Sequence, residues 1–181
     1  MSRSLPLTWA LRTAALLAIA GTATACAGRV DPSARSDRQA WDAMYPPALD
    51  AVKAVDPRIE PEEVAGGRDA CHPTDFIGDS EDESEVIGSA RITLYASPSD
   101  KRTPTQLVRE VVTRMERKGW KGPRPDDIAP VNGEVSARLK MPGSGMATVS
   151  ASHERPTEAP AFNQVTVDLT TECLRNPDWQ G

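Results

Sequence analysis

The sequence predicts an α+β domain: a two-layer sandwich with a mainly antiparallel sheet of about four strands and helices packed on one face. Three observations carry that expectation. Two stretches repeat their apolar residues every three or four positions, the period of a helix half-sunk in a core. Four stretches alternate apolar and polar residues, the period of a strand buried on one side. Two of those alternating runs flank Pro142-Gly143-Ser144-Gly145, a turn that makes them a hairpin.

Residues 1–25 stand apart from the fold. Arg3 and Arg12 give a positive start with no acidic residue nearby, and an uncharged run of 13 residues follows from Thr13. A spanning helix needs ~20 apolar residues, so the run suits the apolar part of an export signal instead. Small residues lead to Ala23-Thr24-Ala25-Cys26, which fit a narrow peptidase groove. A cysteine just after the cut can take a diacylglyceryl group, and acyl chains such as palmitate hold a protein by burying methylenes in the bilayer. Cys26 is therefore the expected lipidation site. The alternative is an ordinary secretory signal that leaves Cys26 free. Residues 26–36, rich in small and charged residues, read as a flexible tether. Its last ten residues reach at most ~35 Å when extended.

One domain is expected over residues 37–175, with 176–181 as a tail. Trp41, Met44, Ala48, Val52 and Val55 share one helical face. Pro46-Pro47 removes backbone donors, which predicts a kink or a second helix starting near Pro47, and Asp56-Pro57 ends the run. Residues 58–67 read as a loop or a short turn closing at Gly66-Gly67. A short extended segment is expected over 71–77, followed by a solvated acidic stretch over 79–85. In residues 86–96, Val86, Ala90, Ile92 and Leu94 share one strand face.

The clearest helix covers 103–118. Thr103 caps it, Pro104 occupies its first position, Gln106 completes a capping box, and Leu107, Val108, Val111, Val112 and Met115 form its stripe. Gly119 permits a left-handed stop, with Trp120 folding back on Met115. The hairpin follows, with Val135, Ala137, Leu139 and Met141 inward on one arm and Ala147, Val149 and Ala151 on the other. Residues 164–173 give the last strand, through Val165, Val167, Leu169 and Cys173. Trp41 and Trp120 are expected in the core, and Trp179 in the tail.

Three cysteines are present. Acylation of Cys26 leaves an even pair, and export implies an oxidising compartment, so Cys71 and Cys173 are expected as a disulfide. Two buried thiols are the alternative. No Cys-x-x-Cys spacing exists and the only histidines are His72 and His153, which argues against zinc. Removing Arg3 and Arg12 with the leader takes the formal charge from −5 to −7. An acidic domain without a basic stripe argues against nucleic acid as a partner, and against an electrostatic grip on anionic lipid. Arginine outnumbers lysine 16 to 5, a bias that fits a high-GC genome.

The Ala23–Cys26 motif, the helix opening at Trp41, Cys71, the helix end at Gly119-Trp120 and the run Thr170-Thr171-Glu172-Cys173 together resemble the small lipoproteins of actinobacteria. That resemblance covers the whole chain and rests on architecture. It implies an extracytoplasmic, disulfide-bonded α+β domain and carries over no catalytic or ligand residues.

Candidate chemistry is sparse. Five carboxylates between Asp79 and Glu85 could hold calcium, but the EF-hand order of acids and glycine is missing, so a solvated loop is the plainer reading. His153 and Glu154 are adjacent on a strand and point to opposite faces, a poor arrangement for a general base. No Gly-x-Ser-x-Gly elbow is present, and neither Gly66-Gly67 nor Gly143-x-Gly145 has the setting of a phosphate loop. No catalytic residue, metal ligand or cofactor is assigned. The expectation is a non-enzymatic binding or accessory module on the outer face of the membrane, with a protein or small-molecule ligand. A carrier of a lipid or small apolar molecule, and a wall hydrolase or hydrolase inhibitor, are the alternatives.

Overall fold

The structure is a computed structural model that describes residues 35–71, 84–157 and 160–178. Cys26, the expected leader, most of the expected tether, residues 72–83 with His72 and most of the acidic stretch, and Trp179 lie outside the described residues.

Helix α1 spans Asp37–Lys53. Ser36 caps it: its hydroxyl accepts the Gln39 N–H at 3.3 Å and the Gln39 side chain accepts the Ser36 N–H at 3.0 Å. That reciprocal box satisfies two donors that a helix start leaves bare. Ser36 is itself buried, so the last residue of the predicted tether belongs to the domain. Of the two alternatives, a kink or a second helix from Pro47, the second helix does not form; Pro46 and Pro47 lie inside one helix. Pro46 faces solvent, where water can serve the carbonyl that its ring leaves without a donor. Met44, Ala48, Ala51 and Val52 are buried on the opposite side and hold the helix to the sheet.

Strand β1 covers Glu62–Ala70, where the sequence predicted a loop through Gly67. Strand β2 (Glu85–Tyr95) buries Val86, Ala90, Ile92 and Leu94, as its alternation predicts. Helix α2 (Pro104–Arg117) has the expected cap at Thr103 and the expected stripe, all five residues of which are buried. Gly119 takes φ +101°, and the Trp120 N–H reaches back to the Met115 carbonyl at 3.3 Å. A short 3-10 turn follows at Pro125–Asp127. Strands β3 (Val135–Met141) and β4 (Gly145–Glu154) form the predicted hairpin. Strand β5 (Phe162–Thr171) ends two residues before Cys173, and a two-residue strand β6 (Leu174–Arg175) follows.

The sheet therefore has six strands rather than about four. Its order is β1-β2-β5-β4-β3, every pairing is antiparallel, and β6 also pairs with β2. Strand β6 is β5 resumed. Ser89 faces Thr170 and Val86 faces Leu174, so the β5–β6 chain spends one extra residue there. Strand β1 also spends one extra residue, since Ala65 faces Ala90 and Arg68 faces Gly88. Two bulges thus flank the same short piece of β2, and bulges re-aim the strands that carry them.

Helix α1 lies over β2 and β5; helix α2 lies over β3, β4 and β5. Between the helices and the sheet, Met44, Ile92, Leu94, Leu107, Met115, Trp120, Leu139 and Leu169 are shielded from water. Each such side chain contributes about 1.5–3 kcal/mol on burial. The other face of the sheet is polar, with Arg91 paired to Asp168 at 2.6 Å across β2 and β5.

Cys71 and Cys173 are joined, with Cα atoms 5.8 Å apart across a sequence separation of 102. The bond links the two chain segments that flank the start of β2.

Candidate binding recess

The two bulges open a recess beside the first turn of α1. On β1 the extra residue falls at Gly66-Gly67. Gly66 is required there, because a Cβ would lie 2.2 Å from Ser89 Oγ and 2.5 Å from the Ser89 carbonyl oxygen. On β2, the Gly88 N–H donates to Thr171 Oγ1 at 2.7 Å, a side-chain bond at the edge of the β5–β6 interruption. Gly88 also brings the Trp41 ring within ordinary contact distance of where a Cβ would sit. The resulting cavity is about 210 Å³.

The capping box fixes the start of α1 and so fixes Asp37 at the first helical position. A carboxylate there is favoured by the positive end of the helix dipole. Asp37 is only 3% exposed. Its Oδ2 accepts from Arg68 Nε at 2.9 Å, and Arg68 follows the β1 bulge directly. Its Oδ1 has no hydrogen-bond partner. A buried acceptor left without a donor costs about 1–3 kcal/mol, more when charged.

Trp41 lies one turn further along α1 and forms a wall. It is half-buried at the recess rather than in the core, where the sequence placed it. Its other neighbour is Tyr45, stacked on it with ring centroids 5.2 Å apart. The Tyr45 hydroxyl donates to Glu63 of β1. Burial, followed by that bond and the Glu63 charge, pushes the Tyr45 hydroxyl up to about 12. Helix α1 is thereby tied to the edge strand on both sides of Trp41.

At the rim, Asp178 accepts from Arg38 Nη2 at 3.0 and 3.1 Å and from Arg68 Nη1 at 3.3 Å. The tail reaches this point through the Asn176 N–H, which donates to the Ser84 carbonyl at 2.8 Å. Arg68 thus holds Asp37 on one side and Asp178 on the other.

The site can accept a donor at Asp37, seat an anion at Arg38 and Arg68, and cover an apolar or planar group with Trp41. Its hydroxyls are those of Ser89 and Thr171, and Thr171 Oγ1 accepts the Gly88 N–H. His153 lies elsewhere, on β4, with Nδ1 2.8 Å from Asn163 Oδ1. The Ser152 hydroxyl donates to Glu154 at 2.6 Å, so His153 and Glu154 turn to different partners, as adjacent strand residues must. Ser144 is fully buried in its turn and accepts from Arg35 at 2.8 Å. Among the described residues, no group of three or more His, Cys, Asp and Glu side chains is placed to hold a metal ion, and no helix is long and apolar enough to cross a membrane.

Sequence reasoning missed Asp37, Arg68 and Asp178. One signal was available. Ser36-x-x-Gln39 has the same form as Thr103-x-x-Gln106, and would have placed Asp37 in a first turn. Nothing local couples Arg68 to Asp37, since a strand bulge sets their approach. No family model matches this chain, and no curated protein and no solved structure matches it.

Proposed function

We propose that the chain is an extracytoplasmic lipoprotein, held to the outer face of the cell membrane by acylated Cys26, and that its domain binds a ligand without turning it over. The observation that carries the binding reading is the recess, where a buried carboxylate keeps one oxygen unpartnered beside an arginine and a tryptophan. A pocket with a few convergent polar groups is the ordinary form of a small-ligand site. The anchor reading rests on the sequence, through the 13-residue uncharged run and Ala23-Thr24-Ala25-Cys26. The Cys71–Cys173 pairing fits an oxidising compartment and leaves Cys26 as the odd cysteine.

A lipid carrier needs an apolar chamber. The larger recesses beside the sheet and α2 are bordered by charged groups such as Arg91 with Asp168, and Arg109 with Glu110. A hydrolase needs a nucleophile held by a base, and among the described residues no hydrogen bond joins the Ser89 or Thr171 hydroxyl of the recess to a carboxylate or imidazole.

The test is fatty-acid labelling of cells that make the chain, with and without Cys26→Ala. The reading expects label on the parent chain in the membrane fraction and an unlabelled variant outside it. Label that persists in Cys26→Ala would sink the anchor. Turnover of a substrate by the purified chain, abolished by a point substitution, would sink the non-enzymatic part.

A further inference from the structure

We infer that the end of the domain from which the tether leaves is a docking face for the anionic phospholipid headgroups of the membrane, formed by Arg117 and Lys118 at the end of α2 and by Lys121, Lys140 and Met146 beside the hairpin turn. This rests on the anchor reading above and names the surface that meets the bilayer.

The first observation is where the chain leaves the domain. Arg35, the first described residue, donates to Ser144 Oγ at 2.8 Å. Ser144 is buried in the turn between β3 and β4, where its N–H donates to the Met141 carbonyl at 3.0 Å. The ten residues from Cys26 to Arg35 reach at most ~35 Å, so an acylated Cys26 keeps this turn near the headgroups.

The second observation is which side chains share that end. Helix α2 finishes there, since a Cβ on Gly119 would lie 4.0 Å from Met141 Sδ. Lys121 and Lys140 then exchange two backbone hydrogen bonds, at 2.9 and 2.7 Å, so the segment after α2 lies along the outer edge of β3. Lys140 faces Met146 across the hairpin. Residues opposite one another in a ladder stand on the same side of the sheet, which puts Lys121, Lys140 and Met146 in one row. Met146 is 56% exposed. An apolar side chain among cations suits the headgroup boundary, where phosphates meet the charge and acyl chains meet the apolar group. Arg117 and Lys118 are exposed at the end of α2, and with Arg114 they border a groove against Asp50 of α1.

Charge complementarity names the occupant. The formal charge of −5 hides a segregation: residues 114–124 and 135–150 hold seven lysines and arginines against one acid, Glu116. Two acids approach from other segments, Asp50 at the groove and Glu172, which accepts from Lys140 at 3.1 Å. The cations still outnumber them. Glu85, the described end of the acidic stretch, stands on β2, three strand spacings from β3, or about 14 Å. Screening at physiological salt acts over ~8 Å, so a membrane surface meets the local cations rather than the net charge.

The test is co-sedimentation of the full chain carrying Cys26→Ala with two kinds of vesicle, phosphatidylcholine alone and an equal mixture of phosphatidylcholine and phosphatidylglycerol. The mixed vesicles should bind about tenfold more tightly or better, and added salt should erase the difference. Lys118→Glu with Lys121→Glu should weaken binding to the mixed vesicles about tenfold or more. Lys101→Glu with Arg155→Glu makes the same charge change at exposed positions before α2 and after β4, at the far end of the domain. That pair should weaken binding less than about threefold, as expected for charges beyond the screening length. Any retained leader is common to every variant and cancels. Equal binding to both vesicles, or equal loss in the two double variants, overturns the inference. If the Lys118 and Lys121 pair disturbs the fold, amine labelling of the chain carrying Cys26→Ala decides. Mixed vesicles should shield Lys118, Lys121 and Lys140 and leave Lys101 reactive; uniform labelling overturns the inference. Because Cys26→Ala removes the acylation site, these results are independent of fatty-acid labelling. A chain that takes no fatty acid in cells yet binds the mixed vesicles loses the anchor and keeps the face; an acylated chain whose Cys26→Ala variant ignores them keeps the anchor and loses the face.

Discussion

Gly66 of β1 and Ser89 of β2 approach so closely that no side chain fits between them: a Cβ on Gly66 would lie 2.2 Å from Ser89 Oγ. That approach is the inner wall of the bulge that delivers Arg68 to Asp37. The recess therefore depends on a backbone position rather than on any reactive side chain.

Gly66→Ala should destabilise the domain by about 1–3 kcal/mol, the usual cost of overpacking. Its neighbour is the control. A Cβ on Gly67 meets nothing nearer than Asp69 Oδ1 at 3.9 Å. Gly67→Ala should then be neutral or stabilising by up to about 1 kcal/mol, through the unfolded chain. Urea unfolding of both variants checks the pair; equal effects would contradict the bulge geometry.

The Cys71–Cys173 bond closes a separation of 102 residues. Replacing both cysteines by serine should cost about 2–5 kcal/mol. Amide exchange should rise first in β1 and β6, which the bond ties together across the start of β2. Protection unchanged in those strands would show that the crosslink is not what holds them.

Leu107 is fully buried between α2 and the sheet, whereas Val131 is 70% exposed. Leu107→Ala should cost about 2–5 kcal/mol. Val131→Ala should stay within about 0.5 kcal/mol. Thermal melts of the two variants test whether the core lies where the contacts place it.

Arg102 braces its own loop and ties it to α2 and to the segment after α1. It donates to Asp100 at 2.6 Å, to Glu110 at 2.5 Å and to the Val55 carbonyl at 2.9 Å. Hydrogen bonds from Arg102 hold the Asp100 carboxyl below its ordinary value of 3.8, against the opposing effect of burial. A carboxyl lowered on folding adds stability that is complete well above 3.8 and is lost as pH falls below that value through the folded pKa. Asp100→Asn should be less stable at neutral pH and should lose less on acidification. Urea midpoints from neutral pH down to about pH 2.5 measure this; parallel curves would contradict it.

Helix α2, the hairpin and the inward faces of β2 and β5 were legible because each buries one regular face against the core. Strand β1 was not. It is an edge strand whose Glu62, Glu63, Val64, Gly66 and Arg68 are all exposed, so it carries no alternation to read. Its two glycines have the composition of a turn, and only pairing with β2 makes them a bulge. The prolines of α1 argued for a break that buried contacts from Met44 to Val52 override. The recess was illegible for a related reason. Asp37, Arg68 and Asp178 are far apart in sequence and meet through sheet order and two bulges, which no local pattern encodes.

Native mass spectrometry of the chain, gently extracted from its own membrane, tests the central claim most directly. The account predicts a chain lacking residues 1–25, carrying an acyl modification and a second, dissociable small mass that Asp37→Asn abolishes. A bare, unacylated chain, or a small mass that persists in Asp37→Asn, would contradict it.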